Sequence, residues 1–196
     1  MSPCRSMSNM YMPSIWTRRA CASSGLRYRP RGVRGERAMT ASYYRLIRWL
    51  PVAFAAHVAE EYLTGFPRYA GEISGHAMDL PLFLGGNIAF IAIMALLVGW
   101  AAKTRSATAN FWLLAWAAGN LFWNFVFHFV LVIAFDRHSP GLITGTLVYF
   151  PLSLALWQAA LAGRVVRAPT LIGAILLGGA YMGAVAAFSI FHVGGV

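Results

Sequence analysis

The sequence has few charged residues and very few cysteines. Only 11% of its 196 residues are charged, whereas a soluble domain typically carries about 25%. The two cysteines, Cys4 and Cys21, lie near the N-terminus, so the rest of the chain has no disulfide framework and no cysteine-based metal site. The chain also lacks the internal repeat that is typical of secondary transporters. These absences argue against an ordinary soluble domain and against a transporter of the repeat type.

The positive charge is unevenly distributed. Residues 1–38 carry eight arginines and a single acid, Glu36, whereas the remaining chain carries eight basic and five acidic residues. We predict that residues 1–40 are a disordered basic extension. Three alternatives stay open for it: a gene start placed too early, with Met39 as the true first residue, a cytoplasmic tail that touches anionic lipid, or a transit peptide. Nucleic-acid binding is not predicted, because these arginines lack a folded scaffold.

Long apolar runs dominate the remaining sequence, and 59% of all residues are apolar. Runs of about 20 apolar residues are long enough to cross a bilayer as helices. We therefore predict an all-α fold, a polytopic membrane helix bundle over residues 41–196. Its five predicted spans are residues 44–63, 80–102, 110–135, 142–162 and 170–192. Pro51 is expected to kink the first helix or to mark its start.

The loops between these spans differ in charge. Six basic residues lie on one side of the predicted membrane and two, Arg68 and Arg137, on the other; the six are Arg45, Arg48, Lys103, Arg105, Arg164 and Arg167. Basic loop residues face the cytoplasm in most membrane proteins. The N-terminus is accordingly predicted to be cytoplasmic, in a multi-pass protein of the bacterial cytoplasmic membrane.

Polar residues recur at one depth in the predicted bundle. His57, Asn87, His128 and Tyr149 each lie about seven residues from the outer end of a span, which is about 10 Å below the surface at 1.5 Å per residue. Asn120, Asn124 and His128 are spaced four residues apart and form one polar stripe. Ionisable groups at membrane depth indicate a functional site by default.

The residue types in this set are those that bind a divalent metal. We predict His57, Glu61, His128 and His192 as metal ligands, with zinc as the first choice and iron as the second. Glu60 and Glu61 are predicted to be catalytic, one as a ligand and the other as a general base. The residues predicted to orient the ligands are Asn87, Asn120, Asn124 and Tyr149. A ferritin-like di-iron centre is less attractive, since it needs four carboxylates.

Other interpretations of the same pattern stay open. A metal-free hydrogen-bonded network produces similar clustering, and the glutamates also suit a proton or substrate site in a small transporter. A non-catalytic membrane scaffold is the third possibility. Gly179 and Gly183 in the last span have the GxxxG spacing, which predicts either tight packing within the bundle or a homodimer.

Two segments resemble the HXXEE family of small membrane proteins, which are largely uncharacterised. One is the sequence HVAEE at residues 57–61, near the end of the first predicted span. The other is residues 127–151, in which a span bearing His128 precedes Ser139, Pro140 and Gly141 and a further span. The resemblance implies a membrane site at His57, Glu60 and Glu61, and it implies no particular activity.

The residues and the resemblance together predict a metal-dependent membrane enzyme. Because the site lies in a bundle suited to apolar ligands, we expect a hydrolase that acts on a lipid or a lipid-linked substrate, with membrane lipid as its surroundings. The alternatives are a small proton-coupled transporter and a non-catalytic scaffold.

Overall fold

The computed structural model describes residues 31–76 and 78–191, and all regular structure in these ranges is helical. Residues 1–30 of the predicted extension and the predicted ligand His192 lie outside the described residues. Residues 31–40, which we assigned to the extension, form the beginning of the first helix. Because this helix continues across residue 40, it does not mark where the extension ends. The boundary between the extension and the membrane body stays a prediction.

Seven helices follow one another along the described chain. They are α1 (Arg31–Leu46), α2 (Leu50–Leu63), α3 (Phe66–Ser74), α4 (Leu80–Thr104), α5 (Ala107–Phe135), α6 (Leu142–Ala162) and α7 (Ala168–Ser189). A short 3₁₀ turn, Ile47–Trp49, joins α1 to α2. The all-helical fold is thus confirmed for the described residues.

Two of these helices contain a π-helical segment. In α5, Ala118–Trp123 separates the α-helical parts Ala107–Ala117 and Asn124–Phe135. In α6, Gly145–Tyr149 separates Leu142–Thr144 from Phe150–Ala162. Such segments are rare and frequently occur at functional sites. Apolar periodicity predicted neither of them.

Proline and serine explain where several helices begin. Pro51 has no N–H to donate to an earlier turn and is the second residue of α2, which begins at Leu50 directly after the 3₁₀ turn. Pro81 and Pro169 take the same early position in α4 and α7. At the start of α5, Ser106 Oγ accepts a hydrogen bond of 3.2 Å from the N–H of Ala109.

Four helices of the described chain, α4 to α7, are long and apolar enough to cross a membrane. Large apolar side chains cover their outer surface; Leu96 is 73% exposed, Leu147 70% and Ile133 69%. Contiguous apolar surface of this kind is unfavourable in water and suits lipid. The predicted first span is divided between α1, the 3₁₀ turn and α2, so the fifth crossing and the cytoplasmic N-terminus both stay predictions.

The segment α1–α2 nevertheless runs along the bundle from one end to the other. At the end formed by residues 104–107 and 162–168, Thr40 Oγ1 donates to Gly163 O at 2.8 Å and Asn110 Nδ2 donates to Tyr44 OH at 3.2 Å. We call this the basic end. Glu60 contacts residues 141–144 at the opposite end, which we call the motif end. This placement brings the HVAEE sequence to the motif end.

Glycine lets α7 approach α5 closely. A Cβ on Gly178 would lie 2.6 Å from both Ala115 O and Gly119 N, so no larger residue fits there. Gly179 lies against the ring of Trp123, whose Nε1 donates to Ile175 O at 2.9 Å. Gly179 therefore serves packing within the bundle. Nothing lies within 4 Å of the Cβ position of Gly183, and a homodimer at this face stays a prediction.

Candidate functional site

Three buried side chains meet at the motif end. His57 and Glu61 lie one turn apart on α2, and therefore on one face of that helix, while His128 comes from α5. The Nε2 atoms of His57 and His128 lie 3.5 Å and 3.1 Å from the same oxygen, Glu61 Oε1. Both histidines are 0% exposed and Glu61 is 5% exposed. One candidate ligand atom from each residue lies within 4.8 Å of the others, so this His–Glu–His cluster could hold a metal ion.

A hydroxyl group holds the outer nitrogen of each histidine. Thr144 Oγ1 lies 2.7 Å from His57 Nδ1, and Ser139 Oγ lies 2.9 Å from His128 Nδ1. Thr144 Oγ1 also lies 3.5 Å from Gly141 O. Partners on the far nitrogen of this kind fix the tautomer and the ring orientation of metal-binding histidines. Both Nε2 atoms are thereby turned towards the centre of the cluster.

The two Nε2 atoms are buried, and neither has a hydrogen-bond partner among the described residues. The nearest polar atom given for each is Glu61 Oε1, at 3.5 Å from His57 Nε2 and 3.1 Å from His128 Nε2. Leaving a buried polar atom unsatisfied costs about 1–3 kcal/mol. Two such atoms facing one carboxylate oxygen are what a metal ion in the centre would satisfy.

The loop after α5 closes the cluster on one side. Gly141 has a φ of +98°, a left-handed conformation that L side chains rarely adopt. A Cβ at this position would lie 2.8 Å from His128 Cε1 and 2.9 Å from His57 Cε1. Ser139 and Pro140 beside it are buried. Glycine is therefore required here both by the backbone and by the contact with the histidine rings.

Glu60 faces this loop rather than the cluster. Its Oε1 accepts from the N–H groups of Gly141 at 3.2 Å and Ile143 at 3.1 Å, and its Oε2 accepts from the N–H of Thr144 at 2.7 Å. A carboxylate is favourable at a helix N-terminus, where the N–H groups have no partner within the helix. The two adjacent glutamates on α2 thus contact different partners. Glu61 contacts the histidines, and Glu60 contacts the first turn of α6. The catalytic role predicted for Glu60 gains no contact from this geometry and stays a prediction.

Aromatic rings pack around the histidines. Tyr149, in the π-helical segment of α6, stacks on His57 with ring centroids 4.3 Å apart. Phe66 at the start of α3 meets His128 edge to face at 5.4 Å. Tyr149 is fully buried, and its hydroxyl has no hydrogen-bond partner among the described residues. The structure therefore brings Tyr149 into contact with one predicted ligand, as the depth count suggested.

A cavity of about 280 Å³ adjoins Glu61. Its wall combines Glu61 with three amides, Asn87, Asn120 and Asn124, and apolar side chains that include Phe54, Phe66, Phe83, Phe90, Phe127 and Met182. Asn87 Nδ2 and Asn120 Nδ2 each donate at 2.9 Å to the carbonyl one turn earlier, and Asn124 Oδ1 is buried without a partner in the described chain.

This placement differs from the predicted orienting role of the asparagines. Within the described residues, none of the three amides is hydrogen-bonded to His57, Glu61 or His128. Ser139 and Thr144 hold the histidines instead, and sequence reasoning gave neither of them a role. The role of Ser139 could have been suspected from the sequence, because this residue follows the span that bears His128. Nothing in the sequence suggested a role for Thr144, because only the folded loop brings it to α2.

A comparison with known protein families finds a match for the part of the chain that holds this site. Residues 49–156 match the family described as a protein of unknown function with HXXEE motif. No curated protein matches the chain, and no solved structure does. The matched range contains the whole cluster, the loop 139–144 and Tyr149, and it spans more than half of the chain. The resemblance is confirmed, and the chain belongs to the HXXEE family.

Proposed function

We propose that the His–Glu–His cluster binds one zinc ion and that the protein is a metal-dependent membrane enzyme of the hydrolase type. The observation that carries the proposal is the pair of buried Nε2 atoms that face Glu61 Oε1 and have no other partner in the described chain. Iron is the second choice, because two histidines and one carboxylate also bind ferrous iron.

The spacing of the donor atoms supports a metal. Two ligands at about 2.0 Å from one tetrahedral zinc lie about 3.3 Å apart, and the two nitrogen–oxygen distances are 3.1 Å and 3.5 Å. Two histidines and one glutamate are also a set that catalytic zinc sites use, with the fourth position left for water or substrate. A structural site would instead fill all four positions with protein ligands.

The surroundings of the cluster support hydrolysis of an apolar substrate. A bound divalent metal activates water near neutral pH and polarises a carbonyl or phosphoryl oxygen. The cavity beside Glu61 offers phenylalanine walls to an apolar body and three amides to its polar group. Its volume of about 280 Å³ is close to the lower end of ordinary ligand pockets. Part of a lipid or of a lipid-linked molecule fits such a space.

Metal analysis of the detergent-purified full chain tests the proposal. We expect about one zinc per chain in the wild type and a loss of at least tenfold in His57→Ala. His138→Ala is the matched control, because His138 is exposed in the loop after α5 and should leave the metal content unchanged. A wild type without stoichiometric zinc or iron, with Glu61→Ala equally well folded, would show that the cluster is a metal-free network.

A further inference from the structure

A second site lies at the basic end, where Arg48 precedes the cluster residue His57 by nine residues along the chain. We propose that four arginines there form a binding site for the headgroup of an anionic phospholipid. Arg37, Arg45, Arg48 and Arg105 line a single groove of about 410 Å³ together with Thr40, Ala41 and Tyr44. The proposal does not depend on the metal.

Within the described residues, no carboxylate neutralises the charges in this groove. The ion pair of Arg164 with Glu36, at 3.6 Å, is the one carboxylate contact at the basic end within the described residues. None of the four groove arginines has a carboxylate within 4.0 Å in that part of the chain. Arg105 lies instead over the ring of Tyr44, 4.9 Å from its centroid, and Arg45 donates to Ser42 Oγ at 3.1 Å. Four guanidinium groups around one concave space repel one another unless an anion lies between them.

The fold holds this groove in place. Tyr44 is 8% exposed, and its hydroxyl accepts from Asn110 Nδ2 at 3.2 Å. Thr40 Oγ1 donates to Gly163 O at 2.8 Å. The residue after α4, Arg105, has a left-handed backbone with a φ of 51°, which ends the helix and aims its side chain back over Tyr44. The groove is therefore lined by two parts of the chain, residues 37–48 and Arg105, and both contact the bundle.

The position of the groove along the bundle indicates which anion it binds. Trp49 is 62% exposed beside Arg48, and Trp100 is 41% exposed five residues before Arg105. Exposed tryptophans of this kind lie at the level of lipid headgroups. A planar guanidinium binds phosphate oxygens in bidentate fashion. Phosphate oxygens at this level belong to lipids, so the ligand that fits is a phospholipid with a net negative headgroup.

Native mass spectrometry of the full chain in detergent tests the site. The probes are phosphatidylglycerol and phosphatidylcholine with identical acyl chains, each titrated in turn, and inorganic phosphate as a competitor. We expect one retained phosphatidylglycerol with clear selectivity over phosphatidylcholine. Arg45→Gln with Arg48→Gln should weaken that binding about 30-fold, because each basic residue near an anionic lipid contributes about fivefold.

The matched control removes two charges from the same end outside the groove. Lys103→Gln with Arg167→Gln should change the affinity less than threefold, since both residues are exposed and neither lines the groove. Equal losses in both double variants would overturn the site in favour of diffuse electrostatics. No selectivity between the two lipids would also overturn it.

Displacement of the lipid by equimolar inorganic phosphate would assign the groove to a soluble anion. If the arginine double variant does not fold, Arg37→Gln alone should weaken binding about fivefold, and no change would contradict the proposal.

Discussion

Among single residues of the candidate site, Gly141 is a position where no side chain is tolerated. Its left-handed backbone disfavours any L side chain by roughly 1–2 kcal/mol, and a Cβ would lie within 3 Å of both histidine rings. We expect Gly141→Ala to lower the thermal stability and to abolish metal binding. Gly85→Ala is the control, because nothing lies within 4 Å of its Cβ position. Normal metal content in Gly141→Ala would show that the loop does not define the cluster.

Thr144 acts on the metal site through His57. Its hydroxyl lies 2.7 Å from His57 Nδ1, and loss of such a partner typically weakens metal binding by about 10–100-fold. We expect that loss in Thr144→Val and a much smaller one in Thr144→Ser, which keeps the hydroxyl. Zinc affinity by competition with a chromophoric chelator gives the comparison. If valine and serine behave alike, the hydroxyl is not what orients His57.

Among the helices, the HVAEE sequence connects α2 to α5 and α6 through two neighbouring glutamates. Glu60 accepts from three N–H groups at the start of α6, whereas Glu61 faces the histidines. We expect Glu60→Gln to lower stability by about 1 kcal/mol, through the weaker interaction with the helix N-terminus, and to keep the metal. Glu61→Gln should lose most of the metal. Metal content with thermal unfolding of both variants separates the two tasks, and an equal metal loss would contradict this division.

A second link joins α3 to the loop after α5. Arg137 Nη2 lies 2.6 Å from Glu72 Oε2, and Arg68 Nε lies 2.9 Å from Glu72 Oε1. Hydrogen bonds from Arg137 first, and then from Arg68, lower the pKa of Glu72 below its usual value. This contribution to stability is therefore present above the usual glutamate pKa of about 4.3 and is lost as the pH falls through the lowered value.

The effect on unfolding is expected to be small, because the three side chains are exposed and solvent screens them. We predict that the melting temperature of the wild type falls slightly more than that of Glu72→Gln when the pH drops below the usual glutamate value. Thermal unfolding in detergent as a function of pH measures the difference. A steeper fall in Glu72→Gln would contradict the sign.

At the scale of the whole molecule, the sequence was sufficient for the parts that depend on local composition. The apolar runs predicted α4 to α7, because a stretch of about 20 apolar residues indicates a membrane helix by itself. Pro51 indicated the break that the 3₁₀ turn makes before α2. His57, Glu61 and His128 were identifiable because ionisable side chains are costly among apolar neighbours.

The remaining features depend on contacts between distant segments. The π-helical segments in α5 and α6 lie within long apolar spans, and the apolar pattern of those spans did not predict them. Thr144 meets His57 only in the folded chain, where Glu60 accepts from the N–H groups around it. Adjacent glutamates look equivalent in the sequence, and only the position of α6 shows that Glu60 and Glu61 face different partners. The division of roles between them therefore had to come from the structure.

The function proposed for the whole molecule depends on His57, Glu61 and His128 binding one metal ion. X-ray absorption at the zinc edge of the detergent-purified full chain tests it most directly. We expect only nitrogen and oxygen neighbours at about 2.0 Å, with scattering from two imidazole rings that falls to one ring in any zinc retained by His128→Ala. Absence of bound metal, sulfur neighbours, or an unchanged imidazole signal in His128→Ala would contradict it.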